Sequence, residues 1–229
     1  MTDLLQVCVD FAVAFDRMSH DVHELAKAKG WWDQPRSVYG LLMLIASECL
    51  GEGVEAIRKP GPSEHIPDFQ GIHEELADTI IRIMDMAAHL GIDLSRKMAN
   101  LTFGWDAGRN LEDEELVSRD LCPFIEAYSR LTDTVDLFHF LNEPVYMPSL
   151  DYQDDLDVQA TLIIRLNHCM ITSGYIGDWR GVNFVSNLAN LALSIMAIAQ
   201  LRGYPLAEAV VAKHEYNKTR PIRHGNKRY

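Results

Sequence analysis

Five carboxylates stand at spacings that could do chemistry. Glu48, Glu52 and Glu55 share one proline-free stretch, and Glu75 and Asp78 follow at i, i+3 in the next, with Glu74 beside them, Arg82 one turn on and Asp85 two turns on. At 100° per residue, an α-helix brings the first three within about 60° of one another on one face. Acids on a single stripe repel each other, and acidic helix faces are ordinarily solvated. Here the neighbours are apolar: Leu44, Ile45 and Ala46 precede Glu48, and Ile80, Ile81, Ile83 and Met84 follow Asp78. Both helices are therefore expected to be largely buried, and a buried carboxylate must be paired or bound to metal. Hard oxygen ligands suit Mg2+, with Mn2+ as a substitute, rather than zinc or copper. None of these acids has a His three residues on, so the Glu-x-x-His of di-iron bundles is missing. Two such helices packed antiparallel would aim four or five acids into one cleft. Divalent ions held there neutralise a polyphosphate, lower the pKa of a bound water and stabilise the leaving oxygen, which points to phosphoryl or nucleotidyl hydrolysis.

The opposite charge sits at the end of the chain. Residues 213–229 carry Lys213, Lys218, Arg220, Arg223, Lys227 and Arg228 against Glu215, whereas residues 1–212 carry 15 basic and 32 acidic side chains. Lys213 and Arg220 suit phosphate oxygens, Asn217 suits a base edge or sugar hydroxyl, and His224 lies in the extension beyond them. Trp31 and Trp32, after Gly30, offer ring faces for a base; a Trp pair at a helix junction serves the core equally well. The whole chain, 229 residues with a net charge of −12, lacks the basic face that duplex nucleic acid requires.

The elements that must position these groups are helices. Nine prolines, at 35, 60, 62, 67, 123, 144, 148, 205 and 221, leave long windows whose apolar residues recur at helical spacing, as in Leu4, Val7, Phe11, Phe15 and Met18. The pattern predicts helices over about 3–29, 36–58, 71–91, 93–103, 112–141, 155–173, 180–202 and 205–218, with loops at 59–67 and 142–154, in an all-α chain. Asp93 is expected as an N-cap and Pro205 at a first turn. No uncharged apolar run approaches the roughly 18 residues of a membrane helix. Cys8, Cys49, Cys122 and Cys169 are too far apart for zinc or a disulfide framework, so buried thiols in a reducing, cytoplasmic setting are expected.

The chain also repeats itself. LADTIIRIMDMAAHLGIDL, residues 76–94, and LANLALSIMAIAQLRGYPL, residues 188–206, share seven identities in 19 ungapped positions. Both stretches end a helix at a glycine, Gly91 or Gly203. The preceding helices pair more loosely at an offset of 120, through Val38/Val158, Leu42/Leu162 and Cys49/Cys169.

Four segments together resemble the MazG-like all-α nucleoside triphosphate pyrophosphohydrolases: AKGWWD, LIASECLGEGVEAIRKPG, HEELADTIIRIMDMAAHLGIDL and KHEYNKTRPIRHGNKR, in the family's order. Glu52-Gly-Val-Glu55 and Glu75-Leu-Ala-Asp78 stand where that family carries Glu-x-x-Glu and Glu-x-x-Asp on successive helices. The resemblance implies a helical bundle that uses Mg2+ to convert a (d)NTP to its monophosphate and diphosphate, in nucleotide pool control. It implies Glu52, Glu55, Glu75 and Asp78 as catalytic ligands with Glu48, and Lys213, Asn217, Arg220, His224 and Trp32 as substrate contacts. Ser47-Glu48-Cys49-Leu50-Gly51-Glu52 has one residue more than the related pattern, so either Glu48 or Glu55 partners Glu52, and a one-residue π-bulge would reconcile the registers.

In the second copy the acids are gone: Asn187 and Asn190 replace Glu75 and Asp78, and His168, Thr172 and Tyr175 replace positions 48, 52 and 55. The first copy lacks the basic tail, which the second copy keeps. Because the family resembles obligate dimers, the expectation is a fused pseudo-dimer of residues 1–108 and 109–229 with one working site, able to pair again as a homodimer. The competing readings are a non-catalytic nucleotide-binding regulator of the same fold and a helical scaffold for protein partners.

Overall fold

The computed structural model describes residues 2–103, positions 160, 162, 163, 165–167 and 169, and residues 182–226. The expected helix at 112–141, the loop at 142–154, the boundary at 108/109, Cys122, His168, Thr172, Tyr175, Lys227 and Arg228 lie outside the described residues. Every regular element among those described is helical, with one isolated bridge between Pro62 and Gln70. No helix among them is long and apolar enough to cross a membrane.

The chain begins with α1, Thr2–Ala28, which buries Phe15 and Val22. The stretch expected as one helix at 36–58 is three pieces: α2, Val38–Ala46; a π-helical turn, Ser47–Glu52; and α3, Gly53–Arg58. Ser37 caps α2 by accepting the Gly40 N–H at 3.0 Å. The π turn takes up one extra residue where the sequence carries one. After the loop come α4, Gly71–Leu90, and α5, Leu94–Phe103, with Asp93 Oδ1 accepting the Arg96 N–H at 3.1 Å as the expected cap. The last elements are α6, Val182–Leu201, and α7, Leu206–Thr219, followed by a short turn at Arg223–Asn226. Pro205 directly precedes α7 as its N-cap.

Two helices form the centre, α6 apolar almost all round and α4 with a broad apolar face beside the one that carries its charged groups. Leu76, Ala77, Ile80, Ile83, Met84, Met86 and Ala87 of α4 are buried, as are Leu188, Ala189, Leu191, Ala192, Ile195 and Ile198 of α6. Around them the packing is reciprocal: α7 lies on α4, and α5 lies on α6, while α4 also touches α6 and α1. The ends of the two central helices match as well. Gly91 (φ 64°) and Gly203 (φ 66°) both take the left-handed conformation that favours glycine. The bonds Ile92 N to Ala87 O (2.9 Å), Gly91 N to Ala88 O (3.2 Å) and Leu94 N to Ile92 O (2.9 Å) recur as Tyr204 N to Ala199 O (2.7 Å), Gly203 N to Gln200 O (3.0 Å) and Leu206 N to Tyr204 O (2.8 Å). Each partner is displaced by the same interval as the sequence match. Cys169, at a helical position, is buried, and burial pushes its thiol up to about 12.

Candidate active site

The first turns of α4 carry the acids, and the environment of each differs sharply. Glu74 is buried at 4% exposure between α4, α7 and the loop before α4. Lys213 of α7, 1% exposed, pairs with it and also reaches Asp78 Oδ2 at 3.0 Å. Ser63 Oγ donates to Glu74 Oε2, while accepting the backbone N–H groups of His65 (3.1 Å) and Ile66 (2.9 Å). His65 Nδ1 stands 2.5 Å from Glu74 Oε1. Burial raises the pKa of Glu74, but the bonds from Lys213, Ser63 and His65 outweigh it and hold the carboxyl below its usual value. Burial likewise lowers Lys213, and Asp78 and Glu74 together more than reverse it.

Glu75, one residue on, faces the other way. Burial, the negative charges of Asp78 and Glu52, and a hydrogen bond shared with Glu52 push its pKa up to about 9. Its Oε2 is buried with no hydrogen-bond partner. Thr79 Oγ1 donates to the Glu75 carbonyl at 2.8 Å, which ties down the backbone beneath it. Glu52, Glu75 and Asp78 thus form one electrostatically coupled group. Glu55 lies apart from it: its exposed carboxylate pairs with Lys59 at 2.5 Å and Arg58 at 3.8 Å, and Lys59 lowers its pKa. In a π turn, where bonds run i to i+5, positions four apart align as positions three to four apart do in an α-helix. Register therefore stacks position 48 over Glu52, while Glu55 has its own partners.

The cleft beside Asp78 is formed by the end of α1, the α1–α2 connection, α2, the middle of α4, α7 and the tail. Its mouth opens to solvent, and Val22, Leu25 and Ile81 lie among the groups that line it. Asp78, Arg82 and Asp85 of α4 line one wall, and Asn217, Arg220 and His224 line another. Asn217 Oδ1 is buried with no hydrogen-bond partner. Trp31 lines the cleft, with the Arg36 guanidinium 5.4 Å from its ring centre.

Of the expected substrate contacts, then, Asn217, Arg220 and His224 meet in the cleft. Lys213 does not line it; it lies in the core behind the acids. Trp32 packs inward: it stacks on His89 at 3.6 Å, and its Nε1 donates to Asp85 Oδ1 at 2.9 Å, the oxygen that also lies 2.7 Å from His23 Nδ1. Its neighbour Trp31 presents the ring to the cleft. Glu48 stands in the π turn, and Glu52 is exposed. Among the described residues, no group of three or more His, Cys, Asp or Glu stands ready-made as a metal-ligand set. Asp78 is instead turned to the Lys213 ammonium. The sequence places Glu74 and Arg82 beside the acids without assigning them a role, and gives no sign of Ser63 and His65, which reach Glu74 from the loop before α4.

No family model, curated protein or solved structure matches the chain.

Proposed function

We propose that the chain is a Mg2+-dependent nucleoside triphosphate pyrophosphohydrolase, releasing monophosphate and diphosphate. One observation carries the reading: the repelling acids Glu52, Glu75 and Asp78, with a buried carboxylate oxygen lacking a partner, adjoin a cleft that Asp78 itself lines together with Arg220 and Asn217. A lone buried carboxyl with two acids against it is costly, and a divalent cation is the ligand that would relieve it. The all-oxygen donor set fits Mg2+ or Mn2+. Glu52, Glu75 and Asp78 would hold the ion, with Glu48 by register. When bound, it would neutralise phosphate charge and lower the pKa of a water.

The chain's own residues divide the remaining work. Arg220, Arg82 and Lys29 line the cleft where the phosphates would lie, and a guanidinium suits phosphate geometry. Asn217 Oδ1 accepts a donor from the base or sugar, and Trp31 stacks on the base. Once a bound cation had displaced the Glu75 proton, the ionised carboxylate would be placed to orient the attacking water and take up its proton. Lys213 keeps Asp78 and Glu74 in place from behind.

The fused pseudo-dimer belongs to the same proposal. It is supported by the repeated bonding at Gly91 and Gly203 and by the reciprocal packing of α7 on α4 and α5 on α6, since a two-fold pair exchanges contacts in that way. The acids come from the first repeat, and Asn217, Arg220 and His224 come from the second.

Glu75→Gln and Asp78→Asn are expected to reduce Mg2+-dependent pyrophosphate release by about 100-fold or more with the fold retained. Full activity in either variant refutes the site. The second reading, a nucleotide-binding regulator without turnover, draws on the Lys213 ammonium 3.0 Å from Asp78, where it partly neutralises the acid group. It predicts nucleotide binding with no product in the same assay.

A further inference from the structure

Beyond α7 the chain turns back and is fastened to the end of α1. Arg223 donates its backbone N–H to Lys29 O at 2.9 Å, its Nε to Gly30 O at 3.2 Å and its Nη2 to Asp33 Oδ2 at 2.7 Å. Lys29 Nζ returns the contact by donating to the carbonyls of Lys218, at 2.7 Å, and Arg220. His224 meets Trp31 edge-on, with ring centres 4.9 Å apart.

Two further features mark this dock as built. Arg223 (φ 47°), His224 (φ 46°) and Gly225 (φ 87°) are three consecutive left-handed residues, and only the last is glycine. Side-chain-bearing residues hold that conformation where their surroundings over-determine it. On the receiving side, Gly30 has φ 77°, and a Cβ there would lie 2.9 Å from Asp33 Oδ2 and 3.4 Å from Arg223 Nε. A glycine is what lets the guanidinium lie along the turn.

We infer that Asp33 and Arg223 are positioning residues, whose clasp across the Gly30 turn holds Arg220 and His224 against the cleft and whose opening withdraws them. The inference rests on the nucleotide reading above, in that Arg220 and His224 are the groups presented to substrate. The clasp is weak by construction. Its side chains are 55% (Asp33) and 38% (Arg223) exposed, so salt screens the pair, while the left-handed backbone favours release. It can therefore close and open as nucleotide enters and leaves.

Asp33→Asn tests this at an exposed site with little change of volume. Amide exchange over residues 221–226 is expected to be about tenfold faster in the variant than in the wild type. The KM for nucleotide is expected to rise about tenfold while kcat stays within about threefold. Raising the salt screens phosphate binding in both proteins, so the KM of each should rise, and that of the wild type should rise more, narrowing the gap between them. Arg223→Lys, which keeps the charge and loses the fork, should fall between them. Equal exchange in wild type and D33N overturns the clasp, and fast exchange with an unchanged KM overturns its positioning role. A wild type that releases no pyrophosphate from any nucleotide refutes the functional reading instead, and exchange then judges the clasp by itself.

Discussion

Glu74 and Glu75 are adjacent in sequence, and their carboxyls are driven in opposite directions. Glu74 meets Lys213 and Ser63 and stays ionised; Glu75 meets Asp78 and Glu52 and keeps its proton up to about pH 9. The unfolded Glu75 carboxyl titrates near 4.5, so between these values the folded state binds the extra proton. Stability should accordingly fall as the pH rises from about 5 to about 9. Without divalent metal, the urea midpoint should decline across that window, and Glu75→Gln should flatten the decline and stabilise by about 1–3 kcal/mol at pH 8. A flat wild-type profile would contradict the burial of an unrelieved acid. Glu74 has the opposite sign: its depressed value contributes stability above the ordinary carboxylate range, lost as the pH falls through the folded value. These roles were only partly legible in the sequence. Glu75 and Asp78 followed from helical spacing, whereas Glu74 acquires its role from Lys213, 139 residues away, and from a loop serine. Trp31 and Trp32 could not be told apart, because which ring faces the cleft depends on Asp85 and His89 across the packing.

The helices were largely readable, because proline, glycine and apolar period all mark the same limits. Expected spans at 3–29, 71–91, 93–103, 180–202 and 205–218 differ from α1, α4, α5, α6 and α7 by only one or two residues at either end. The stretch at 36–58 differs because its apolar run continues unbroken while its hydrogen bonding changes to a π turn at Ser47–Glu52. The only local sign is the extra residue among the acids. Gly51 is exposed, and a Cβ there would meet nothing within 4 Å. Its deletion should therefore let α2 run on into α3 as one α-helix, with positions 48 and 52 still on one face. We expect the shortened chain to melt no lower than the wild type and to keep pyrophosphate release within about tenfold. Loss of turnover in a stably folded deletion would contradict the view that the π turn only absorbs an inserted residue.

Across the whole molecule, the net charge of −12 resolves into an acidic body and a basic end. Asp78 and Asp85 of α4 line one side of a cleft, and Asn217, Arg220 and His224, distant in sequence, line the other. Among the described residues, the basic end after α7 meets the acidic body at this cleft, held there by Lys29 and Arg223. Lys213 belongs to the core rather than to this surface, so the tail proper begins after it. The composition revealed the two charges and the repeat suggested a second copy, but only the packing of α7 on α4 brings them together. Whether the chain hydrolyses nucleotides is decided by incubating the wild-type protein with each common ribo- and deoxyribonucleoside triphosphate, with Mg2+ or with chelator, and resolving the products. Equal amounts of nucleoside monophosphate and pyrophosphate are expected from at least one nucleotide, with Mg2+ only. No turnover, or release of diphosphate nucleotide and single phosphate, would contradict the proposed reaction.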